Sequence, residues 1–274
     1  MSTEPRQPAL FVPHGAPTFA LRPGAAGAAL ARHAAQVPRP RAIVVVSAHW
    51  ETAIPTVGTA PRFDTIHDFS GFPRDLYALR YPATGCPEAA QEVATALADA
   101  GLPVAVDPAR GLDHGAWVPL RLMFPDADVP VVPLSVQSHA GPAHALRVGR
   151  ALAGLGERGC LLVASGNLTH NLRDYFTAAQ DGGRTPDYVR EFADWVRDRL
   201  AARDLDALVG YRSAARWGLR AHPTEEHLLP LFVGLGAAGA DFQAERIHSG
   251  IDDYVLAMDA YAFTSSSEMQ PRTN

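Results

Sequence analysis

AIVVVSAHW, residues 42–50, is the stretch on which the fold turns: a run at 42–47 opening with five aliphatic residues, three of them valine, and leading to His49. Such a run is too short for a buried helix and too apolar for a half-exposed strand, so it reads as a strand covered on both faces. Similar runs, bounded by Pro, Gly or Arg, recur at 9–12 (ALFV), 129–136 (VPVVPLSV) and 160–164 (CLLVA). Between them lie Ala- and Arg-rich segments with helical spacing. One covers 87–100, where Pro87 suits a first turn and Gly101 a stop, and another covers 143–155. A third covers 187–200, where Tyr188, Val189, Phe192, Trp195, Val196 and Leu200 make an apolar stripe. This alternation predicts an α/β fold: a single domain over 1–274 with a central mixed, mostly parallel sheet and helices on both faces. The core is expected at about 8–264, with 265–274 a frayed tail. Residues 59–85, rich in Pro, Gly and aromatics, read as an ordered surface excursion near a site.

Composition excludes several function classes. The chain has 24 basic and 29 acidic residues, intermixed, for a net charge of −5. That leaves no basic stripe for nucleic acid and no polybasic patch for a membrane, so a small molecule is the expected partner. All 24 basic residues are arginine, which removes Schiff-base, pyridoxal-phosphate and P-loop lysine chemistry. Cys86 and Cys160 form no C-x-x-C pair, and neither a leader nor a spanning segment is evident, so a soluble protein of the reducing cytoplasm is expected. Oligomeric state is not readable.

Chemistry concentrates in the histidines. His14 follows ALFVP, His49 ends AIVVVSA and His170 closes SGNLTH after CLLVA, so all three stand just past a strand's carboxyl end. That edge is where ligands bind in open α/β sheets, and histidines remote in sequence can meet there. His114 lies in the Gly-flanked segment RGLDHGAWVPL, read as a loop, and His222 opens AHPTEEHLLPL, where Pro223 disfavours helix. Neutral imidazoles are good ligands for Fe(II) and Zn(II), and ligands drawn from several strand ends leave coordination positions open. Spacing alone leaves equal room for loop histidines that bind no metal.

The blocks PHGAPTFAL, VVVSAHWET, HDFSGFP, LYALRYPATG, RGLDHGAWVPLRLMFPDADVPVVPLSV, SGNLTHNLRD and AHPTEEHLLPLFVGLGA, in this order, resemble the class III extradiol ring-cleavage dioxygenases, in the branch of 4,5-DOPA dioxygenase. The resemblance spans nearly the whole chain. It implies a catechol and dioxygen as substrates, one divalent non-haem ion, Fe(II) for turnover with Zn(II) also accommodated, and opening of the ring to a semialdehyde acid. It further implies His14, His49 and His222 as metal ligands, His170 as acid/base, and His114 as a histidine beside substrate and dioxygen. His67 stands where the family more often has tyrosine. Glu225 or Glu226 could join the ion or its surroundings, and Asp113 could orient His114.

Two readings compete. Three imidazoles and a water also suit a zinc hydrolase, and a relative without catalysis would need no acid/base histidines. GLGAAG at 234–239 spells a dinucleotide fingerprint but lacks the βαβ context. Ser165 near His170 lacks a nucleophile elbow. His33, His139, His144 and His248 are expected at the surface. Phe69, Phe72, Tyr77 and Tyr81 are candidates for an aromatic pocket, and Arg80, Arg110 or Arg173 for binding a substrate carboxylate, although ordinary packing and salt bridges explain each equally well.

Overall fold

The four apolar runs form the middle of one sheet. A computed structural model describes residues 6–180 and 182–265; the expected tail falls almost wholly outside them. The strands are β1 (Ala9–Pro13), β2 (Ala42–Glu51), β3 (Thr56–Gly58), β4 (Ala105–Asp107), β5 (Val131–Val136), β6 (Cys160–Gly166), β7 (Phe242–His248), β8 (Ile251–Asp252), β9 (Leu256–Ala257) and β10 (Ala260–Ser265). Eight of them line up as β4-β3-β5-β2-β6-β1-β10-β7, with β8 and β9 a separate ribbon. From β5 through β2 and β6 to β1 every pairing is parallel, so these carboxyl ends share one edge. The flanks are mixed: β3 is antiparallel to β5, and β10 is antiparallel to both β1 and β7.

Ile43, Val44, Val45 and Val46 are fully buried, as are Val131, Val132, Leu134, Leu161 and Val163. Burial of each such side chain stabilises by about 1.5–3 kcal/mol, which makes the parallel centre the anchor of the fold. Strands β3, β4, β7 and β10 are absent from the sequence reading. The first two are three residues long, and β7 is only half-buried, so none makes a long apolar run.

The helices are α1 (Gly24–Ala34), α2 (Arg74–Ala78), α3 (Pro87–Asp99), α4 (His114–Met123), α5 (Gly141–Ala151), α6 (Leu172–Gln180), α7 (Asp187–Ala202), the short turns α8 (Leu205–Val209), α9 (Tyr211–Ala214) and α10 (Gly218–Ala221), and α11 (Leu229–Ala238). Helix α11 lies on β1, β2 and β6 and is covered by α5, whereas α4 lies on β2 and β6 and is covered by α1; the sheet is thus flanked by helices. Residues 234–238 of GLGAAG lie inside the buried α11 and Gly239 caps it; Gly236 lets the α5 backbone approach, so the motif is no phosphate loop. Pro230 sits in the first turn of α11, where its missing N–H costs nothing, so it starts this helix rather than interrupting one. No helix among the described residues is long and apolar enough to cross a membrane.

Candidate metal centre

The shared carboxyl edge gathers imidazoles. His14 follows the last residue of β1, and His49 sits near the end of β2. His170 lies four residues past β6, its backbone N–H donating to Ala221 O at 2.9 Å. His114 is not on a loop but is the first residue of α4: the Asp113 carboxylate caps that helix by accepting from Ala116 N at 3.1 Å. Gly115 must be glycine for α4 to start this close to β2, because a Cβ there would lie 2.4 Å from Ser47 Oγ and 2.9 Å from the His49 ring.

His222 departs from the arrangement expected of it. It is fully buried behind the cluster, between Phe192 and Tyr211, and its Nε2 donates to Leu168 O at 2.7 Å. The imidazole beside His14 and His49 is that of His227, five residues on. His227 Nε2 lies 3.3 Å from His49 Nε2, which lies 3.1 Å from His14 Nε2. His227 reaches the edge because Gly166 has no side chain: a Cβ there would sit 2.2 Å from His227 O, the atom that accepts from Asn167 N. The motif HPTEEH contains both histidines, and it is the second, not the one the resemblance implies, that stands beside His49.

Two of the three rings have the other nitrogen in a hydrogen bond, and the third has a carboxylate nearby. Ser165 donates its hydroxyl hydrogen to Gly115 O at 2.5 Å, so its oxygen must accept from His14 Nδ1, at 3.1 Å. His227 Nδ1 donates to Glu226 Oε1 at 2.9 Å, and His49 Nδ1 lies 3.5 Å from Asp68 Oδ2. With protons held on Nδ1 of His14 and His227, their Nε2 lone pairs are turned toward His49 Nε2 at 3.1 and 3.3 Å. Burial, reinforced by neighbouring imidazoles, holds His14 and His227 well below the ordinary histidine pKa and lowers His49 to about 3, so added protons do not relieve this repulsion at neutral pH. A divalent cation relieves it. Nitrogens bound at about 2.1 Å to one ion are separated by about 3.0–3.4 Å, the range found here. The donor set therefore fits a metal, and an all-nitrogen set with carboxylate and hydroxyl partners behind it suits Fe(II) or Zn(II) better than Mg(II) or Ca(II).

Potential ligand atoms of His14, His49 and His114 lie within 4.8 Å of one another, as do those of His170, Glu226 and His227. Ring geometry separates roles within these groups. The His170 and His227 rings are stacked at 3.5 Å and 6°. The in-plane lone pairs of two rings in parallel planes do not converge on one point, so His170 would stand beside the residues that hold an ion rather than among them. His170, whose pKa burial lowers to about 4, is a neutral neighbour of the centre, placed to take a proton. The His114 ring lies 4.0 Å from that of His49, and Asp68, not Asp113, holds it: Oδ1 accepts from His114 N at 2.8 Å and Oδ2 from Nδ1 at 2.9 Å. Burial alone would raise the pKa of Asp68, but its bonds to His114 bring it down to about 2. Glu226 stands behind His227, while Glu225 belongs to no group of potential ligands among the described residues.

Phe69 lies 5.7 Å from the His114 ring and 5.3–5.5 Å from Tyr77 and Phe72, forming an aromatic wall to which His67 is joined. Tyr81 instead belongs to the core. Arg80 turns back on Tyr77 O and Leu79 O, and Arg110 is held by Asp113 at 2.8 Å.

The comparisons with known proteins agree with this chemistry. Residues 20–264 match the family model described as the catalytic LigB subunit of aromatic ring-opening dioxygenase. The 4,5-DOPA dioxygenase extradiol of Beta vulgaris is 41% identical over 261 residues, covering 93% of this chain and 96% of the relative. That of Escherichia coli K12 is 42% identical over 237 residues, covering 85% of each. The crystal structure of an uncharacterized Escherichia coli K12 protein superposes with a TM-score of 0.77 at 33% identity, covering 94% of this chain and 99% of that one.

Proposed function

The chain belongs to the LigB family of aromatic ring-opening dioxygenases and is an extradiol catechol dioxygenase, and from that premise we propose that His14, His49 and His227 hold its single divalent non-haem ion. Fe(II) is the proposed working metal, with Zn(II) able to occupy the same nitrogens, and a DOPA-like catechol is the proposed substrate. The observation that carries the ligand set is the approach of His14 Nε2 and His227 Nε2 to His49 Nε2, with Nδ1 of His14 and His227 bonded to Ser165 and Glu226. The ion, when bound, supplies the Lewis acidity and electron transfer that bring a catechol and dioxygen into reaction.

His170, neutral at physiological pH, accepts a catechol proton and returns it when the O–O bond is cleaved. His114 hydrogen-bonds the substrate from the other side of His49. The wall of Phe69, Phe72 and Tyr77 stacks on the aromatic ring and excludes water from it. A reducing compartment, where Cys86 and Cys160 remain thiols, is the proposed setting.

The test is anaerobic loading of the metal-free protein with Fe(II), then oxygen exposure with a panel of catechols. Dioxygen uptake matched by a yellow ring-opened product is expected. Hydrolysis of an ester or amide with no dioxygen uptake would instead favour the zinc hydrolase. His170→Ala should retain the metal and lose about 10²- to 10⁴-fold in turnover, the usual contribution of a general acid/base; wild-type turnover would remove that role.

A further inference from the structure

We infer that Asp68 is a positioning residue that fixes the proton of His114 on Nδ1 and so makes His114 Nε2 an acceptor toward the substrate. The inference rests on the reading of His114 as a group that touches substrate. Both oxygens of Asp68 are committed to one residue: Oδ1 to the His114 backbone N–H at 2.8 Å and Oδ2 to the ring Nδ1 at 2.9 Å. An ionised carboxylate only accepts, so Nδ1 must carry a hydrogen, and in the neutral ring the lone pair is then on Nε2. The same Oδ2 faces His49 Nδ1 at 3.5 Å, so the carboxylate that holds His114 also stands beside a proposed metal ligand.

Asp68 comes from the 59–85 excursion, which is bound to the segment leading into α4 on both sides of it. Ile66 N donates to Leu112 O at 2.7 Å, Leu112 N to Asp64 O at 2.8 Å, and Trp117 Nε1 to Ile66 O at 3.0 Å. Asp113, the obvious partner by sequence, is occupied elsewhere by Ser47 Oγ at 2.5 Å, Arg110 at 2.8 Å and the helix cap. The excursion thus supplies a catalytic support as well as an aromatic wall.

Asp68→Asn tests this, because an amide has the same shape but the opposite polarity at one atom. Its oxygen must go to the His114 backbone N–H, which turns the NH2 group toward Nδ1 and drives the ring proton to Nε2. In ¹⁵N-histidine-labelled protein loaded with Zn(II), wild type should show the Nδ1–H form of His114, assigned by its disappearance in His114→Gln, and Asp68→Asn should show the Nε2–H form. With Fe(II), kcat should fall about 10- to 100-fold, as is usual for groups that orient ligands and catalytic histidines, while KM changes less than about threefold. In a double-mutant cycle Asp68→Asn should cost nothing further once His114 is glutamine. An unchanged tautomer, or an undiminished cost in that background, overturns the inference. Wild-type turnover in His114→Gln would instead remove the premise about His114, while the tautomer still tests Asp68. Where Asp68→Asn yields no folded protein, Asp68→Glu must keep the Nδ1–H form, and an Nε2–H form in that variant overturns the inference equally.

Discussion

Glu226→Gln isolates the charge behind His227. Both donors that reach this side chain, His227 Nδ1 and Thr224 Oγ1, go to the same oxygen, Oε1, each at 2.9 Å. Glutamine keeps one carbonyl oxygen and can retain both bonds, so only the negative charge is lost. A hydrogen bond to a charged group contributes about 1.5–3 kcal/mol and a neutral one about 1, a difference of about 0.5–2 kcal/mol. The Glu226 side chain is only 17% exposed and His227 5%, so solvent screens this difference weakly. Groups in this position behind metal-binding histidines typically set affinity by about 10- to 100-fold, or about 1.4–2.7 kcal/mol, which overlaps the bond-by-bond figure near tenfold. Competition titration of metal-free protein with Zn(II) against a chromogenic chelator measures it directly. Affinity within twofold of wild type, in a variant of unchanged melting temperature, would refute the view that His227 binds the ion through Nε2 with Glu226 holding Nδ1.

His227→Gln should purify with little metal, whereas His222→Gln should keep nearly a full equivalent and instead lose about 1–3 kcal/mol of stability through its buried bond to Leu168 O; metal analysis and thermal melting separate the two. Burial lowers His222 to about 3 from 6.5, so the unfolded chain takes up its proton first as pH falls, and this residue's stabilising contribution is present above pH 6.5 and lost on descent toward 3. The metal-free His222→Gln protein should therefore show a stability–pH slope shallower by up to about 1.4 kcal/mol per pH unit between pH 6 and 4, and an identical slope would contradict the neutral buried ring. Gly166→Ala should leave the fold intact but displace the His227 backbone, lowering metal affinity; affinity equal to wild type would show that the close approach is not required.

The parallel centre was legible because burial on both faces writes itself as unbroken aliphatic runs, and β1, β2, β5 and β6 all announce themselves this way. His14, His49 and His170 could be located from those runs. His227 could not, because what brings it in is a contact between glycine backbone at 166 and a carbonyl 61 residues later, with no local signature. The choice of His222 followed from the resemblance. In the same motif Glu226, directly before His227, forms the supporting bond, but that adjacency is no general signal, since Asp113 directly before His114 forms none. Asp68 was missed for a related reason. Asp113 adjoins His114 in sequence, but a helix-capping carboxylate points along the chain toward Ala116 N, leaving the ring to a residue 46 positions away.

The partners of the three proposed ligands also explain why the centre tolerates such deep burial. A free imidazole chooses between tautomers and protonates near neutrality, and both freedoms compete with a metal. Ser165 and Glu226 remove the first for His14 and His227 by accepting at Nδ1, and the apolar setting of the sheet edge removes the second by lowering the ring pKa values. The cost falls on the metal-free protein, in which Nε2 lone pairs stand 3.1 and 3.3 Å apart without a cation. Ion binding then acts on folding as well as on chemistry: at a free concentration 100-fold above its dissociation constant it should stabilise the fold by about 2.7 kcal/mol. Melting temperature should rise with Zn(II) concentration in wild type and hardly at all in His227→Gln; equal responses would place the ion elsewhere.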